Sequence, residues 1–185
     1  MDGWLRIAAG IDALTRAVAR IAQWALLANA LLVAGNAISR KLFSASALVI
    51  FDLQWHFFAA VVLLMAAYTL QRNEHVRVDI LAPRLGERGL AWLDLLGMML
   101  IVLPLSLFMT WVGTQATIEA LLIGERYWVF SDLPAWVMKS LVPVGFLLLA
   151  LQGVAEAIRC VACLKGGVTR PVHRHQLIDG GPVGH

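Results

Sequence analysis

His56 lies inside an apolar stretch and is therefore the first residue to consider for metal or haem chemistry. A helical bundle holds a haem iron most simply between two axial histidines. The other four histidines lie outside the apolar stretches, so His56 has no evident second ligand. A hydrogen bond to Asp52, four residues earlier on the same helical face, is the favoured interpretation. No cofactor is expected here. The remaining histidines are His75, His173, His175 and His185.

Cys160 and Cys163 form a second candidate centre, because a CxxC pair followed by His173 and His175 offers four zinc ligands. The spacing after the pair is not that of a usual zinc site, and small thiols also fill gaps between helices. No glycine-rich phosphate loop and no serine or cysteine triad is evident in the sequence. We therefore predict that the chain is not an enzyme.

The composition indicates which kind of secondary structure holds these residues. The chain has 60% hydrophobic residues, 15% charged residues and a mean hydropathy of +0.76. Four apolar stretches approach the roughly 20 residues that a helix needs to cross a bilayer. Lipid offers the backbone no hydrogen bonds, and the stretches lack the alternation of barrel strands. The predicted fold class is an all-α integral membrane protein with four transmembrane helices. The spans are predicted at about 20–39, 53–71, 92–118 and 134–158.

One membrane domain is predicted over residues 1–163, followed by a disordered tail over 164–185 that is rich in glycine. Before the first span, apolar residues recur every three or four positions, opposite arginines. That pattern predicts an amphipathic helix at the membrane interface, and the alternative is an extension of the first span. The apolar set is Trp4, Ile7, Ile11, Leu14 and Val18, and the basic set is Arg6, Arg16 and Arg20.

Lysines and arginines predict the orientation, because they collect in cytoplasmic connections. Eleven of the 15 lie before the first span, between the second and third, or after the fourth. Both termini are therefore predicted to be cytoplasmic. Lys139, near the start of the fourth span, is expected to snorkel towards the headgroups. Pro104 and Pro143 are expected to bend the third and fourth spans.

The predicted spans contain almost no ionisable residue, which argues against independent transport. A carrier that bound an ion or an anionic substrate alone would place charges or broken helices near the bilayer midplane. A supporting role in a larger complex is therefore favoured. A self-sufficient small homo-oligomeric carrier or channel, or a haem- or quinone-linked redox subunit, stays open as an alternative.

The segment 52–81 reads DLQWHFFAAVVLLMAAYTLQRNEHVRVDIL, with Asp52 just before QW and an HVRVD signature after a span of small and aromatic residues. SRKLF at 39–43, WLDLLG at 92–97 and the proline-bearing third and fourth spans continue the pattern. This combination resembles the small membrane subunit of tripartite ATP-independent periplasmic (TRAP) transporters, of the mannitol/chloroaromatic-type group. The resemblance covers roughly residues 20 to 160. Ser131 and Asp132 depart from the small residues expected there.

The resemblance implies a partner arrangement in the bacterial inner membrane. The small subunit would be a fixed scaffold beside a large permease subunit, which carries the sodium and substrate sites and moves like an elevator. A soluble periplasmic binding protein would deliver the solute. This chain would then supply packing surface and anchoring, with membrane phospholipids as further partners and no nucleic acid.

Ten residues are candidates for contacts with a partner or with lipid. In the HVRVD signature the charged residues alternate with valines, so an extended segment would direct Arg77 to a headgroup or a carboxylate, and the alternative is a solvated turn. Arg40 and Lys41 lie on the predicted outer side, where phosphates or an ion pair would account for them. Glu125 belongs to the longest outer connection, where a binding protein could dock. The full set is Arg40, Lys41, Asp52, Trp55, His56, His75, Arg77, Asp79, Glu125 and Lys139.

Overall fold

The computed structural model describes residues 2–43, 48–72, 82–126 and 134–165. These residues form helices and no strand, apart from one isolated bridge between Arg126 and Pro134. Four helical segments are long and apolar enough to cross a membrane, which confirms the predicted fold class. The helices are α1 (Asp2–Phe43), α2 (Leu48–Gln71), α3 (Ala82–Gly97), α4 (Leu103–Ile123), α5 (Ala135–Lys139) and α6 (Leu141–Leu164).

Helix α1 joins the N-terminal segment and the first span in one continuous run of 42 residues. At 1.5 Å per residue this helix is about 63 Å long, roughly twice the hydrocarbon thickness. The N-terminal segment thus continues into the first span without a break, and its place at the membrane interface stays a prediction. The reason for this continuity is a buried seam that passes through both parts, at intervals of seven residues. The seam consists of Ala8, Thr15, Ala22, Asn29 and Asn36.

Helix α6 is the centre of the bundle and contacts α1, α2, α3, α4 and α5. Its neighbours come close because small residues line it, which is how membrane helices pack without a hydrophobic driving force. A Cβ atom added to Gly145 would lie 2.8 Å from the Leu63 Cβ of α2. A Cβ atom added to Gly113 of α4 would lie 2.9 Å from the Pro143 Cδ of α6. Both contacts are therefore specific to glycine.

The third and fourth spans are interrupted near their prolines. A π-helical turn, Met98–Val102, separates α3 from α4, and the Leu103 N–H donates to the Met98 carbonyl. Pro104 follows directly, and the wider turn accommodates a residue that lacks an N–H and crowds the preceding carbonyls. Helix α5 ends at Lys139, and Pro143 lies in the first turn of α6.

The bundle has two ends, named here by what they contain. The terminal end holds the beginning of α1 and the ends of α2 and α6, and the distal end holds the end of α1, the end of α4 and α5. Helices α1 and α4 run from the terminal to the distal end, and α2 and α6 return. The predicted signature at 75–79 and the predicted tail after Lys165 lie outside the described residues.

Candidate functional site

A cluster of charged side chains lies at the terminal end, where α1 crosses the last turns of α6. The Arg159 guanidinium donates from Nη1 to Asp12 Oδ2 over 2.5 Å. It donates from Nη2 to Glu156 Oε1 over 2.8 Å. The Glu156 side chain is only 8% exposed, against 15% for Asp12 and 31% for Arg159. One cation therefore serves two carboxylates in a largely dry environment.

Gln152 extends the cluster one turn towards the middle of the bundle, and it is completely buried. Thr15 Oγ1 donates to Gln152 Oε1 over 2.9 Å, and Gln152 Nε2 donates to Asp12 Oδ1 over 2.9 Å. From α2, Gln71 Nε2 donates to the backbone carbonyl of Asp12 over 3.3 Å. The cluster thus links three helices, α1, α2 and α6. We call these six residues the polar clamp: Asp12, Thr15, Gln71, Gln152, Glu156 and Arg159.

The polar clamp is arranged to hold helices together. Both oxygens of Asp12 accept hydrogen bonds, from Arg159 and from Gln152, which occupies them with contacts inside the chain. Charge-assisted hydrogen bonds of this kind are short and directional, and they fix the rotation and level of one helix against another. The polar clamp therefore fixes the positions of the helices relative to one another.

The sequence analysis did not single out the polar clamp, because Asp12 lies before the predicted first span and Arg159 lies after the predicted fourth. A signal for it was present. Residues 152, 156 and 159 fall on one helical face at intervals of four and three, and Asp12 and Thr15 share a face three residues apart. Polar residues on a face otherwise lined with small residues indicate a helix contact instead of a solvated surface.

At the distal end, two of the residues singled out from the sequence meet. Lys139 Nζ lies 2.5 Å from Glu125 Oε2, and the Ala135 N–H donates to the Glu125 carbonyl over 2.9 Å. Gly124 ends α4 with a φ of 67°, which lets the chain turn back towards α5. The Lys139 ammonium is thus held by a carboxylate of this chain.

Exchanging the charges of this pair (Glu125→Lys with Lys139→Glu) should leave the free energy of unfolding within about 1 kcal/mol of wild type. Both side chains are more than a third exposed, at 34% and 45%, so solvent screens the pair. Thermal unfolding in detergent measures this, with each single reversal as the control. A loss of several kcal/mol in the double exchange would show that the pair is structurally essential.

The family of this chain follows from comparison with known proteins. Residues 29–163 match the DctQ component of the tripartite ATP-independent periplasmic transporters. The matched stretch is well over half of the 185 residues. The chain belongs to the DctQ family. DctQ is a transporter component, which works together with a large permease subunit and a periplasmic binding protein. Neither the comparison with curated proteins nor that with solved structures gave a match.

The family match covers only part of the polar clamp of this DctQ chain. Gln71, Gln152, Glu156 and Arg159 lie inside the matched stretch, and Asp12 and Thr15 precede it. The first part of α1 is nevertheless bound to the family region by four hydrogen bonds. It is therefore an integral part of the bundle in this DctQ protein.

The other candidate residues of this DctQ chain are dispersed. Arg40 and Lys41 are exposed in the last turn of α1, and Trp55 of α2 is 70% exposed. His56 is half-buried one residue later. Asp52 lies on α2 at a position where no side chain is described, so the predicted contact with His56 stays a prediction. His75, Arg77 and Asp79 lie outside the described residues.

The two cysteines of the DctQ chain lie near the end of α6. Cys160 is buried, Cys163 is half-buried, and no disulfide joins them. Within the described residues, no group of three or more histidine, cysteine or acidic side chains is placed to hold a metal ion. His173 and His175 lie outside that part of the chain.

Proposed function

We propose that this chain is the static small permease subunit of a TRAP transporter of the mannitol/chloroaromatic-type group. It anchors and supports the large elevator-type subunit during sodium-coupled uptake with a periplasmic binding protein. The family match supports the transporter assignment. The scaffold role rests on one observation, which is that the charged side chains of the polar clamp are used to fasten helices of the chain to each other.

A scaffold needs a helix arrangement that stays fixed while its partner moves. The polar clamp and the glycine contacts at Gly145 and Gly113 support such rigidity, because packed small-residue interfaces and buried ion pairs each allow one relative position of the helices. Large apolar side chains on α4 remain open to lipid or to a partner, with Leu122 80% and Trp111 62% exposed. We place the contact with the large subunit among such faces.

We further propose that both termini face the cytoplasm, in a bacterial inner membrane. The proposal is supported by the concentration of lysine and arginine in the connections at the terminal end. The distal end, with Glu125 and Lys139, then faces the periplasm. Its exposed charges are suited to a soluble binding protein, because rim charges steer association.

Deletion of this chain is the direct test. We expect solute uptake to fall to background while the binding protein keeps its affinity for the solute. The large subunit should also fail to accumulate as a stable complex. Uptake in whole cells, solute binding to the purified binding protein and co-purification of the two membrane subunits measure these effects. Expression of the wild-type chain in the deletion strain is the control.

Two results would contradict the proposal. Uptake that persists in the deletion strain would remove the need for a scaffold. Flux carried by the purified chain alone in liposomes would instead indicate a self-sufficient carrier or channel.

A further inference from the structure

A small basic pocket opens between α1 and α2 near the terminal end of the bundle. Its volume is about 180 Å³, and it is lined by Arg16, Ala19, Arg20, Gln23 and Tyr68. Two guanidinium groups one helical turn apart, beside an amide and a phenol, make a set of hydrogen-bond donors suited to an oxyanion. The described residues of the lining include no carboxylate.

Arg16 and Arg20 are both exposed and have no ion-pair partner among the described residues. Arg72, four residues after Tyr68, orients the Tyr68 side chain. Its Nε donates to the Tyr68 hydroxyl over 2.9 Å, and its guanidinium carbon lies 5.4 Å from the centre of the Tyr68 ring. Because that hydroxyl accepts from Arg72, its own proton is directed away and can be donated to a ligand.

The acidic side chain of α1 that lies nearest to the pocket along the helix is engaged elsewhere. The nearest acidic residue along α1 is Asp12, one turn before Arg16. Its two oxygens accept from Arg159 and Gln152 on the side of α6. The described lining therefore carries an excess of positive charge, and an anion is the ligand that fits it.

The depth of the pocket identifies the kind of anion. Tyr68 lies in the last turn of the candidate span Leu53–Gln71, where a membrane helix meets the headgroup layer. On α1, the face that carries Arg16, Arg20 and Gln23 continues towards the bilayer centre with Leu27 and Leu31, which are 50% and 66% exposed. Hydrogen-bond donors suited to a phosphate thus lie at the depth of the headgroups, and an apolar stripe continues from them towards the bilayer centre.

We propose that this pocket binds the phosphate of an anionic phospholipid, whose acyl chain lies along Leu27 and Leu31. Basic pockets between helices at the membrane boundary bind such headgroups. Inorganic phosphate has the same oxyanion chemistry, and the apolar stripe favours the lipid. The proposal requires only that the chain spans a membrane, and it is independent of the scaffold role.

The test uses the full chain purified in detergent, alone and with its large permease subunit. The key variant is the double substitution Arg16→Gln with Arg20→Gln. Its matched control is Arg6→Gln, an exposed arginine of the same helix outside the pocket. Phosphatidylglycerol, phosphatidylcholine and inorganic phosphate are titrated in turn. Bound lipid is counted by native mass spectrometry, and stabilisation is read from the unfolding temperature.

We expect phosphatidylglycerol to bind and to raise the unfolding temperature, and phosphatidylcholine to bind more weakly. The double variant should bind phosphatidylglycerol about 30-fold more weakly, since each basic residue near an anionic surface strengthens binding roughly fivefold. Arg6→Gln should behave as wild type. The Arg16→Lys, Arg20→Lys variant should keep most of the binding, because the charge is preserved.

Three outcomes would overturn the proposal. Equal binding of phosphatidylglycerol and phosphatidylcholine would exclude recognition of a net charge. Full stabilisation by inorganic phosphate would identify a soluble ion as the ligand. Unchanged lipid counts in the double variant, together with loss of the large subunit on purification, would show that the arginines meet a protein carboxylate.

Discussion

Replacing Arg159 by methionine should lower the free energy of unfolding by about 2–4 kcal/mol, somewhat less than the roughly 3–5 kcal/mol for breaking a fully buried ion pair. The substitution leaves two carboxylates without their cation, Asp12 at 15% exposure and Glu156 at 8%. The cost lies in those uncompensated charges. The exposure of Arg159 itself, 31%, moderates it. Unfolding of the purified chain in detergent, by heat or by denaturant, measures the effect.

A triple variant separates charge from packing. Adding Asp12→Asn and Glu156→Gln to Arg159→Met removes the stranded charges, so most of the lost stability should return. Arg6→Met is the matched control, because Arg6 is an exposed arginine on α1 with no ion pair among the described residues. If the single and triple variants are equally unstable, the packing of the Arg159 stem matters and the ion pairs do not.

Gly145→Ala should destabilise the bundle by about 1–3 kcal/mol, the usual cost of overpacking a tight contact. The new Cβ would lie 2.8 Å from the Leu63 Cβ and 3.1 Å from the Leu63 carbonyl oxygen. A backbone atom cannot rotate away as a flexible side chain does, so α2 has to shift from α6. We expect a lower unfolding temperature and a smaller yield of complex with the large subunit.

Gly35→Ala is the matched control for this contact. Gly35 also lies inside a membrane helix, and a Cβ atom added there meets nothing within 4 Å. Alanine should leave stability unchanged or raise it by up to about 1 kcal/mol, because alanine favours the helix more than glycine. An equal effect of both substitutions would show that helix propensity determines the change in stability, and that the close approach of α2 to α6 does not.

The sequence alone predicts the all-helical, four-span architecture, because uncharged stretches of spanning length have few alternatives in lipid. The residues at which the helices begin and end are harder to predict. The first and fourth candidate spans reach Gly3–Leu42 and Ala135–Leu164, beyond the predicted 20–39 and 134–158. Asp12 precedes the predicted first span and Arg159 follows the predicted fourth, and both lie inside the helices. The helices continue through them because each charge finds a partner on a neighbouring helix or a neighbouring turn.

The candidate site was predictable only in part. Glu125 and Lys139 were each singled out for a different reason, the first as a docking residue and the second as a snorkelling one. Their contact joins residues 14 positions apart, across a connection whose path no local pattern specifies. The pairing of Asp12 with Arg159 spans 147 positions and depends on how α1 crosses α6. Periodicity identifies which face a residue occupies, and the partner across that face is set by tertiary packing.

The π-helical turn at Met98–Val102 also changes the phase of the third span. Before the turn, the buried positions Ala91 and Met98 are seven residues apart, and after it Ser106, Gly113 and Ala120 keep the same interval. Between Met98 and Ser106 the interval is eight. The wide turn thus takes up one extra residue, and both halves of the span present their buried residues to α6. A straight α-helix of the same sequence would aim one half about 100° away from α6.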